Sequence, residues 1–294
     1  MDHQISFNRD SCQKCGICGE VCPNKIICKK NGEMTVYEDR VPLCFKCGQC
    51  MSVCSASAIF ISGLSYEEDF CDISEKEEYE KIFFNMILSR RSIRNFKDKP
   101  VPKEMLERII GSLSYAPAGF TPVKTEIIVV HNPNDIKKAF PYFVELYDYL
   151  YQAFQNPIKR FFIKKNVGEK KYKQMQNHLM PLLKVRLPGL RNGTEDTITR
   201  NAPAMLLFHT DQTGEDIVAD LYIAATYCII AAHAIGLGAT IMDIIPPAIN
   251  KKKELREIFR VPDEHEVIAS VILGFPKYDY HRGIKRKLKS VRWI

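Results

Sequence analysis

The sequence predicts a protein of mixed helices and strands in two unequal parts, and three observations carry that prediction. A cysteine pattern occurs twice within residues 12–54. From Lys81 onward the texture changes to aliphatic segments with helical and strand periodicity. Between them, residues 63–80 (GLSYEEDFCDISEKEEYE) hold eight acidic side chains and one lysine, the composition of a solvated linker or helix start.

Cys12, Cys15, Cys18 and Cys22 are spaced C-x2-C-x2-C-x3-C, and Cys44, Cys47, Cys50 and Cys54 repeat that spacing 32 residues later. The copies also share Lys14/Lys46, Gly16/Gly48 and Val21/Val53, and Pro23 follows the first. Each cubic iron–sulfur cluster needs four converging thiolates, and eight cysteines at this spacing suit two [4Fe-4S] clusters. Three close cysteines wrap one cluster while the glycines let the backbone turn. The fourth points away and serves the other cluster. One cluster then takes Cys12, Cys15, Cys18 and Cys54, and the other Cys44, Cys47, Cys50 and Cys22. Residues 5–62 resemble the bacterial two-cluster ferredoxins, with Ser55 where that family usually has proline. A structural zinc site would use paired C-x2-C knuckles across a longer loop. A disulfide framework would need an oxidising compartment, and MDHQISFNRD has no apolar core of signal-peptide length. Cys28, Cys71 and Cys228 have no comparable partners and read as ordinary small, partly buried residues.

The 294 residues suffice for a small domain and a large one with a full core. No apolar run reaches membrane-spanning length; the longest, Leu221 to Ile235, is short and carries His233. The expectation is a cytoplasmic protein with no membrane partner, in a reducing or anaerobic setting. Residues 1–62 are near charge balance, with seven basic and six acidic side chains. Residues 157–192 carry ten Lys and Arg against Glu169 alone. That stretch reads first as a solvated helical face, and second as a docking surface for an acidic redox partner such as a ferredoxin or flavodoxin. Nothing resembles a base-reading module, so no nucleic-acid partner is expected.

In the larger part, Glu77 to Leu88 has helical apolar spacing. Val101 to Tyr115 predicts a helix with Met105, Leu106, Ile109, Ile110 and Leu113 on one face and Pro102 in its first turn. Strands are expected at Glu126–Val130, Ala204–His209 and Val267–Leu273. Residues 134–200 form a helical excursion interrupted by Pro157, Pro181 and Pro188. Asp216 to Gly236 is apolar nearly all round and predicts a helix buried on every side, ended by Gly236 and Gly238. It serves as a core helix or one that also builds a dimer interface.

Arg90-Arg91-Ser92-Ile93-Arg94-Asn95-Phe96 concentrates three guanidinium groups, whose planar forks suit phosphate. A second basic cluster, Arg282, Lys285, Arg286 and Lys287, follows Gly274-Phe275-Pro276. No G-x-G-x-x-G fingerprint or P-loop is present, which argues against a Rossmann dinucleotide site or a nucleoside triphosphate.

SRRSIRNF, the later APAG, the Ala-rich helix ending GLG, and the GFP turn before a basic tail together resemble the nitroreductase family over residues 81–294. That resemblance implies an α+β fold, an intertwined homodimer, and FMN at the subunit interface. It also implies that Arg90, Arg91, Ser92 and Arg94 grip the FMN phosphate and ribityl chain, with Arg286 or Lys285 added from the tail. Pro117, Ala118, Gly119 and Thr121 match the loop beside the flavin ring, and Asp243 and Ile244 the turn near the pyrimidine and N5. Thr121 and Val123-Lys124 stand where many members have Asn and Gln-Pro, so ring hydrogen bonding differs. The whole chain resembles ferredoxin–nitroreductase fusions of anaerobes. The domains expected are 1–62, an acidic linker 63–80, and 81–294, with 134–200 as variable cover for the site.

The implied activity is FMN-dependent reduction of a small electron-poor acceptor (a nitroaromatic, quinone or activated alkene) with electrons drawn through the clusters. Two alternatives stand beside it: an electron carrier or redox sensor serving a protein partner, and an NAD(P)H-fed nitroreductase with accessory clusters. No catalytic acid stands out; His131, His178, His209, His233 and the tyrosines from Tyr142 to Tyr151 read as structural.

Overall fold

The computed structural model describes residues 4–44, 46–72, 79–117, 125–211 and 215–294. The chain forms two compact units, Met1–Arg91 with Pro276–Ile294, and Ser92–Phe275.

The first unit runs β1 (Ile5–Phe7), α1 (Ile17–Val21), β2 (Ile27–Lys30), β3 (Glu33–Val36), a 3-10 segment (Glu38–Leu43), α2 (Gln49–Ser52), β4 (Ile59–Ile61), α3 (Tyr66–Asp69), β5 (Phe70–Asp72) and α4 (Tyr79–Ser89). β1 pairs with β4 and β2 with β3, both antiparallel. The sequence repeat is also a backbone repeat. Lys14, Gly16, Lys25 and Asn31 have positive φ (53°, 80°, 49°, 51°), and so do their counterparts Lys46, Gly48, Ser57 and Gly63 (50°, 71°, 49°, 82°). Left-handed backbone is unfavourable for residues with a Cβ, so its recurrence at Lys14 and Lys46 marks a constraint common to both loops. Val21, Ile27, Met51, Val53, Ile59 and Ile61 bury between the halves.

The second unit contains α5 (Lys103–Leu113), β6 (Glu126–Val130), α6 (Pro133–Gln155), α7 (Pro157–Val167), α8 (Glu169–Gln174), a π-helical turn (Met175–Leu179), α9 (Met180–Arg191), β7 (Ala204–Thr210), α10 (Glu215–Ala234), β8 (Gly238–Ile241), α11 (Ile245–Lys251), α12 (Lys253–Phe259) and β9 (Glu266–Gly274). The four strands form one antiparallel sheet in the order β6-β7-β9-β8. β7 is buried along its whole length, which explains its continuous apolar run. Met205 and Leu207 face the core beneath the helical excursion, whereas Ala204, Leu206 and Phe208 face α5 and α10. The period-2 alternation of a strand thus serves two cores. The three expected strands are all present, and β8 (GATI) is a fourth that its short, glycine-led sequence hid.

The chain then returns to the first unit, where β10 (Arg282–Ile284) pairs antiparallel with β5. This moves the expected domain boundary: residues 276–294 belong with the cysteine-bearing unit, as does α4. The acidic segment 63–80 is likewise more than a linker. Ser65 caps α3 by accepting from the backbone N–H groups of Glu67 and Glu68, and Glu67, Glu68 and Asp69 sit where the helix dipole favours negative charge.

Two further expectations are corrected. Pro188 lies inside α9 without ending it, while Pro157 and Pro181 do begin helices. α10 is longer than the apolar run suggested: Ile217–Ala234 is long and apolar enough to cross a membrane by length and composition. Nor is it buried all round within the chain. Leu221, Ala224, Ala225, Cys228 and Ala232 pack inward, whereas Val218, Tyr222 and Tyr227 are exposed. The small residues on the inward side admit α5 and the sheet. The helix ends as its glycines predict: Gly236 takes φ 82° and the Leu237 N–H reaches back to the Ala232 carbonyl at 2.8 Å.

Gly238 is a packing requirement. A Cβ there would lie 2.6 Å from three side-chain atoms of Ile93. Gly238→Ala is therefore expected to cost about 1–3 kcal/mol as an overpacked core site. Urea denaturation that leaves the midpoint unchanged would show that Ile93 can move aside.

Candidate functional site

The two loops bring the eight repeated cysteines into two groups. Cys12, Cys15, Cys18 and Cys54 line a cavity of about 280 Å³, and Cys22, Cys44, Cys47 and Cys50 line a second, tighter one. These are the crossed sets that the spacing predicted. The fourth cysteines are oriented alike: the Cys22 Sγ accepts from the Ile26 N–H at 3.4 Å, and the Cys54 Sγ from the Ala58 N–H at 3.2 Å. Burial, followed by the neighbouring Cys15, Cys54 and Cys12, pushes the Cys18 thiol up to about 12. Burial pushes Cys44 and Cys50 up as well. In both groups the neighbouring cysteines add to burial in opposing ionisation. Among the described residues no three of these sulfurs lie within 4.8 Å of one another. Cys28 is half-buried and Cys228 fully buried, the latter pushed up to about 12 by burial alone, as befits packing residues. The Cys71 side chain lies outside the described residues.

The tail strand is latched onto the first of these sites. Arg282 donates to the Cys54 carbonyl, to the Ser55 carbonyl at 3.3 Å and to the Ser57 hydroxyl at 2.5 Å, and its guanidinium lies 5.0 Å from the centre of the Tyr66 ring. The Arg282 carbonyl accepts from the Ser52 hydroxyl and from Arg91 Nη2, the latter at 3.2 Å. Arg91 also donates to the Arg90 carbonyl at 2.6 Å. Two of the predicted phosphate-gripping residues, Arg90 and Arg91, thus belong to the cysteine-bearing unit, and Arg91 braces the tail strand. Lys285 and Arg286 are exposed on that tail, and the Lys285 N–H bonds the Asp69 carbonyl.

In the larger unit, Ser92–Phe96 runs beside β8 and reaches the end of β9. Ser92 forms a parallel bridge with Ala239, and the Ile93 N–H donates to the Ala239 carbonyl at 3.2 Å. Lys97 N–H reaches the Phe275 carbonyl at 2.8 Å, and a Cβ on Gly274 would meet Phe96 at 3.0 Å. The arginine motif, the GLG turn and the GFP turn, separate in sequence, are thus one packed structure. It presents Arg94, whose Nη1 donates to the Ser92 carbonyl at 3.2 Å.

The sequence reading missed Arg200. Arg200 takes φ 59° at the end of the excursion, in a turn tied by the Asp196 carboxylate to the N–H groups of Ile198, Thr199 and Asn201 at 3.0, 2.7 and 2.9 Å. Burial, then the positive charges of Arg94 and Arg186, pull its guanidinium down to about 10. Its Nε is buried without a hydrogen-bond partner. Arg186 is buried in turn and paired with Glu195 at 3.0 Å. Removing Glu195 would strand a buried charge, at about 3–5 kcal/mol. Arg94 is the first charge to act on Arg200, which puts the two guanidinium groups near one another. The single guanidinium of a TRNAP turn gave no sequence signal comparable to RRSIR.

Asp243 and Ile244 border a cavity of about 830 Å³ walled by Leu146, Tyr147, Phe162 and Met175, with Lys159, Lys171 and Lys251 at its rim. The Tyr147 hydroxyl donates to the Ile244 carbonyl and pins this turn. Burial raises Tyr147, with Asp243 adding to the effect, so it stays a phenol at neutral pH. The helical excursion therefore does wall a pocket. Its basic stretch is partly satisfied internally: Lys164 and Lys173 pair with Glu169, and Arg191 with Asp148. Pro117 is exposed after α5. Ala118, Gly119 and Thr121 lie outside the described residues.

A family model described as the nitroreductase family matches residues 87–275. A Methanothermobacter thermautotrophicus protein, provisionally named NADH dehydrogenase/NAD(P)H nitroreductase, is 24% identical over 195 residues, covering 65% of this chain and 75% of its own. An FMN-bound nitroreductase structure from Desulfitobacterium hafniense aligns with TM-score 0.50 at 16% identity, over 72% of this chain and 97% of its own. An FMN-dependent nitroreductase from Clostridium difficile aligns with TM-score 0.50 at 18% identity, over 71% and 98%. At these identities the structural likeness concerns the fold.

Arg282→Ala should unlatch the tail, because charge-assisted bonds of about 1.5–3 kcal/mol each are lost. In hydrogen-exchange mass spectrometry, peptides covering 280–286 should lose protection while β7 and β9 keep theirs. Unchanged protection would mean that β-pairing alone holds the tail.

Proposed function

The chain belongs to the nitroreductase family, and from that membership we propose that it is an FMN-dependent oxidoreductase whose crossed cysteine sets hold two [4Fe-4S] clusters. The observation that carries this reading is the presence, on one chain, of two four-cysteine groups lining separate cavities and a nitroreductase-family region in which Arg94 acts on the guanidinium of Arg200. When bound, the clusters exchange single electrons, and FMN exchanges electrons singly or as a hydride.

The residues divide the work. Cys12, Cys15, Cys18 and Cys54 hold one cluster and Cys44, Cys47, Cys50 and Cys22 the other. Arg282 supplies a positive charge beside the Cys54 carbonyl. Ser92, Arg94 and Arg200 take the FMN phosphate; the orphaned Arg200 Nε fits a group with several acceptor oxygens. Asp243 and Ile244, pinned by Tyr147, border the flavin. The apolar, aromatic cavity beside them suits a planar electron-poor acceptor, a nitroaromatic, quinone or activated alkene, and its basic rim favours one that gains negative charge on reduction. The exposed Val218, Tyr222 and Tyr227 on α10 and Phe83 and Phe84 on α4 support a homodimer, since a second copy would cover them.

A nicotinamide-fed reading is favoured by the name of the Methanothermobacter relative. Anaerobic titrations separate the two. Bleaching of the flavin only by reduced ferredoxin supports entry through the clusters, whereas bleaching by NADH or NADPH at catalytic speed makes the clusters accessory.

Cys22→Ser together with Cys54→Ser is expected to damage both clusters, because each ligand crosses over. Iron should fall well below the roughly eight atoms per chain of an intact two-cluster protein; full iron would refute the crossed assignment. Arg94→Gln with Arg200→Gln should release flavin with iron unchanged. A variant that retains full flavin on gel filtration would remove these residues from the phosphate site.

A further inference from the structure

Glu126, His209 and His265 converge at one end of the sheet, away from any motif the sequence singled out. His209 Nδ1 lies 3.0 Å from His265 Nδ1, and the Glu126 carboxylate lies 3.9 Å from the latter. All three ligand atoms fall within 4.8 Å of one another. We propose that these three residues form a site for a divalent transition-metal ion, best suited to Zn²⁺, with a solvent-facing coordination position on the Glu126 side.

The spacing fits such an ion. Two nitrogens at about 2.0–2.1 Å from one tetrahedral zinc stand about 3.3–3.4 Å apart, so the two imidazoles need open only slightly from the 3.0 Å at which they stand. Two imidazoles and a carboxylate are a donor set suited to zinc. The exposed Glu126 side chain closes the remaining gap by rotation.

The backbone holds the three in place. Glu126 on β6 and His209 on β7 are direct cross-strand partners, so their side chains share a face. A register shift between Phe208 and His209 re-aims His209 relative to the rest of β7. His265 sits in a turn clamped by Arg256, which donates to the carbonyls of Pro262, Asp263 and His265 at 2.5, 2.9 and 3.0 Å. Asn250 locks the chain two residues on, bonding both the N–H and the carbonyl of Val267. His209 is buried, His265 nearly so, and Glu126 open to solvent. The competing arrangement is a hydrogen bond between the two imidazoles with Glu126 as bystander.

The test uses the full-length, anaerobically purified chain, equilibrated with ZnSO₄ and dialysed, with zinc and iron measured on the same sample. Wild type should retain about one more zinc per chain than His265→Asn, with equal iron. Glu126→Gln, an exposed change that leaves the fold intact, should weaken zinc retention at least as much as loss of an outer-shell partner, about 10–100-fold. Zinc-edge X-ray absorption should then show nitrogen and oxygen neighbours at about 2.0–2.1 Å. Equal zinc in wild type, His265→Asn and Glu126→Gln would overturn the proposal and leave the hydrogen-bonded pair. A sulfur shell at about 2.3 Å would overturn it by assigning the zinc to the cysteines.

Discussion

The larger unit depends on the close approach of Ile93 to Gly238. A hydrogen on that α-carbon, in place of a methyl, lets the chain after the arginine pair enter the sheet end as a bridge to β8. From that docking follow the position of Ser92, the back-bond that orients Arg94, and the contact of Phe96 with Gly274. Glycine at the ends of two neighbouring strands weakens each strand slightly. Here the loss is offset by an aliphatic and an aromatic side chain filling the space, which fixes a guanidinium that would otherwise wander on a surface loop.

In the cysteine-bearing unit the comparable constraint is the crossing. Each loop contributes three thiols to one cavity and one to the other, so neither half of the repeat completes a site alone. The matching left-handed residues at Lys14 and Lys46, and at Lys25 and Ser57, are the backbone expression of that demand. A unit this small has little core, and the tail strand adds to it. Tyr278, Tyr280 and Ile284 pack on the same cluster as Met51 and Ile59. Arg282 ties the turn after Cys54, so the last residues of the chain stiffen a ligand loop near the first.

What was legible in the sequence was whatever local chemistry dictates. The cysteine spacing fixes which thiols can converge, and the alternating cores on β7 follow from its unbroken aliphatic run. The acidic segment allowed either a solvated linker or a helix start, and Ser65 followed by Glu67 and Glu68 is the local signal for the second, which α3 realises. The tail was misplaced because strand pairing between Phe70–Asp72 and Arg282–Ile284 is a non-local event with no local periodicity. Arg200 and the Glu126–His209–His265 group were invisible for the same reason. Each is assembled from single residues on separate elements, and nothing in its immediate neighbours announces it.

The excursion between β6 and β7 now has a role beyond cover. An insertion whose only task was to shield a pocket would end wherever loop closure was cheapest, since lengthening a loop costs little. This one ends in a strained turn that carries Arg200 back toward Arg94, with Arg186 of α9 buried behind it and neutralised by Glu195. The positive charges of Arg94 and Arg186 oppose that of Arg200, and Asp196 and Glu195 offset them in part. The same helices wall the apolar cavity next to Asp243 and Ile244.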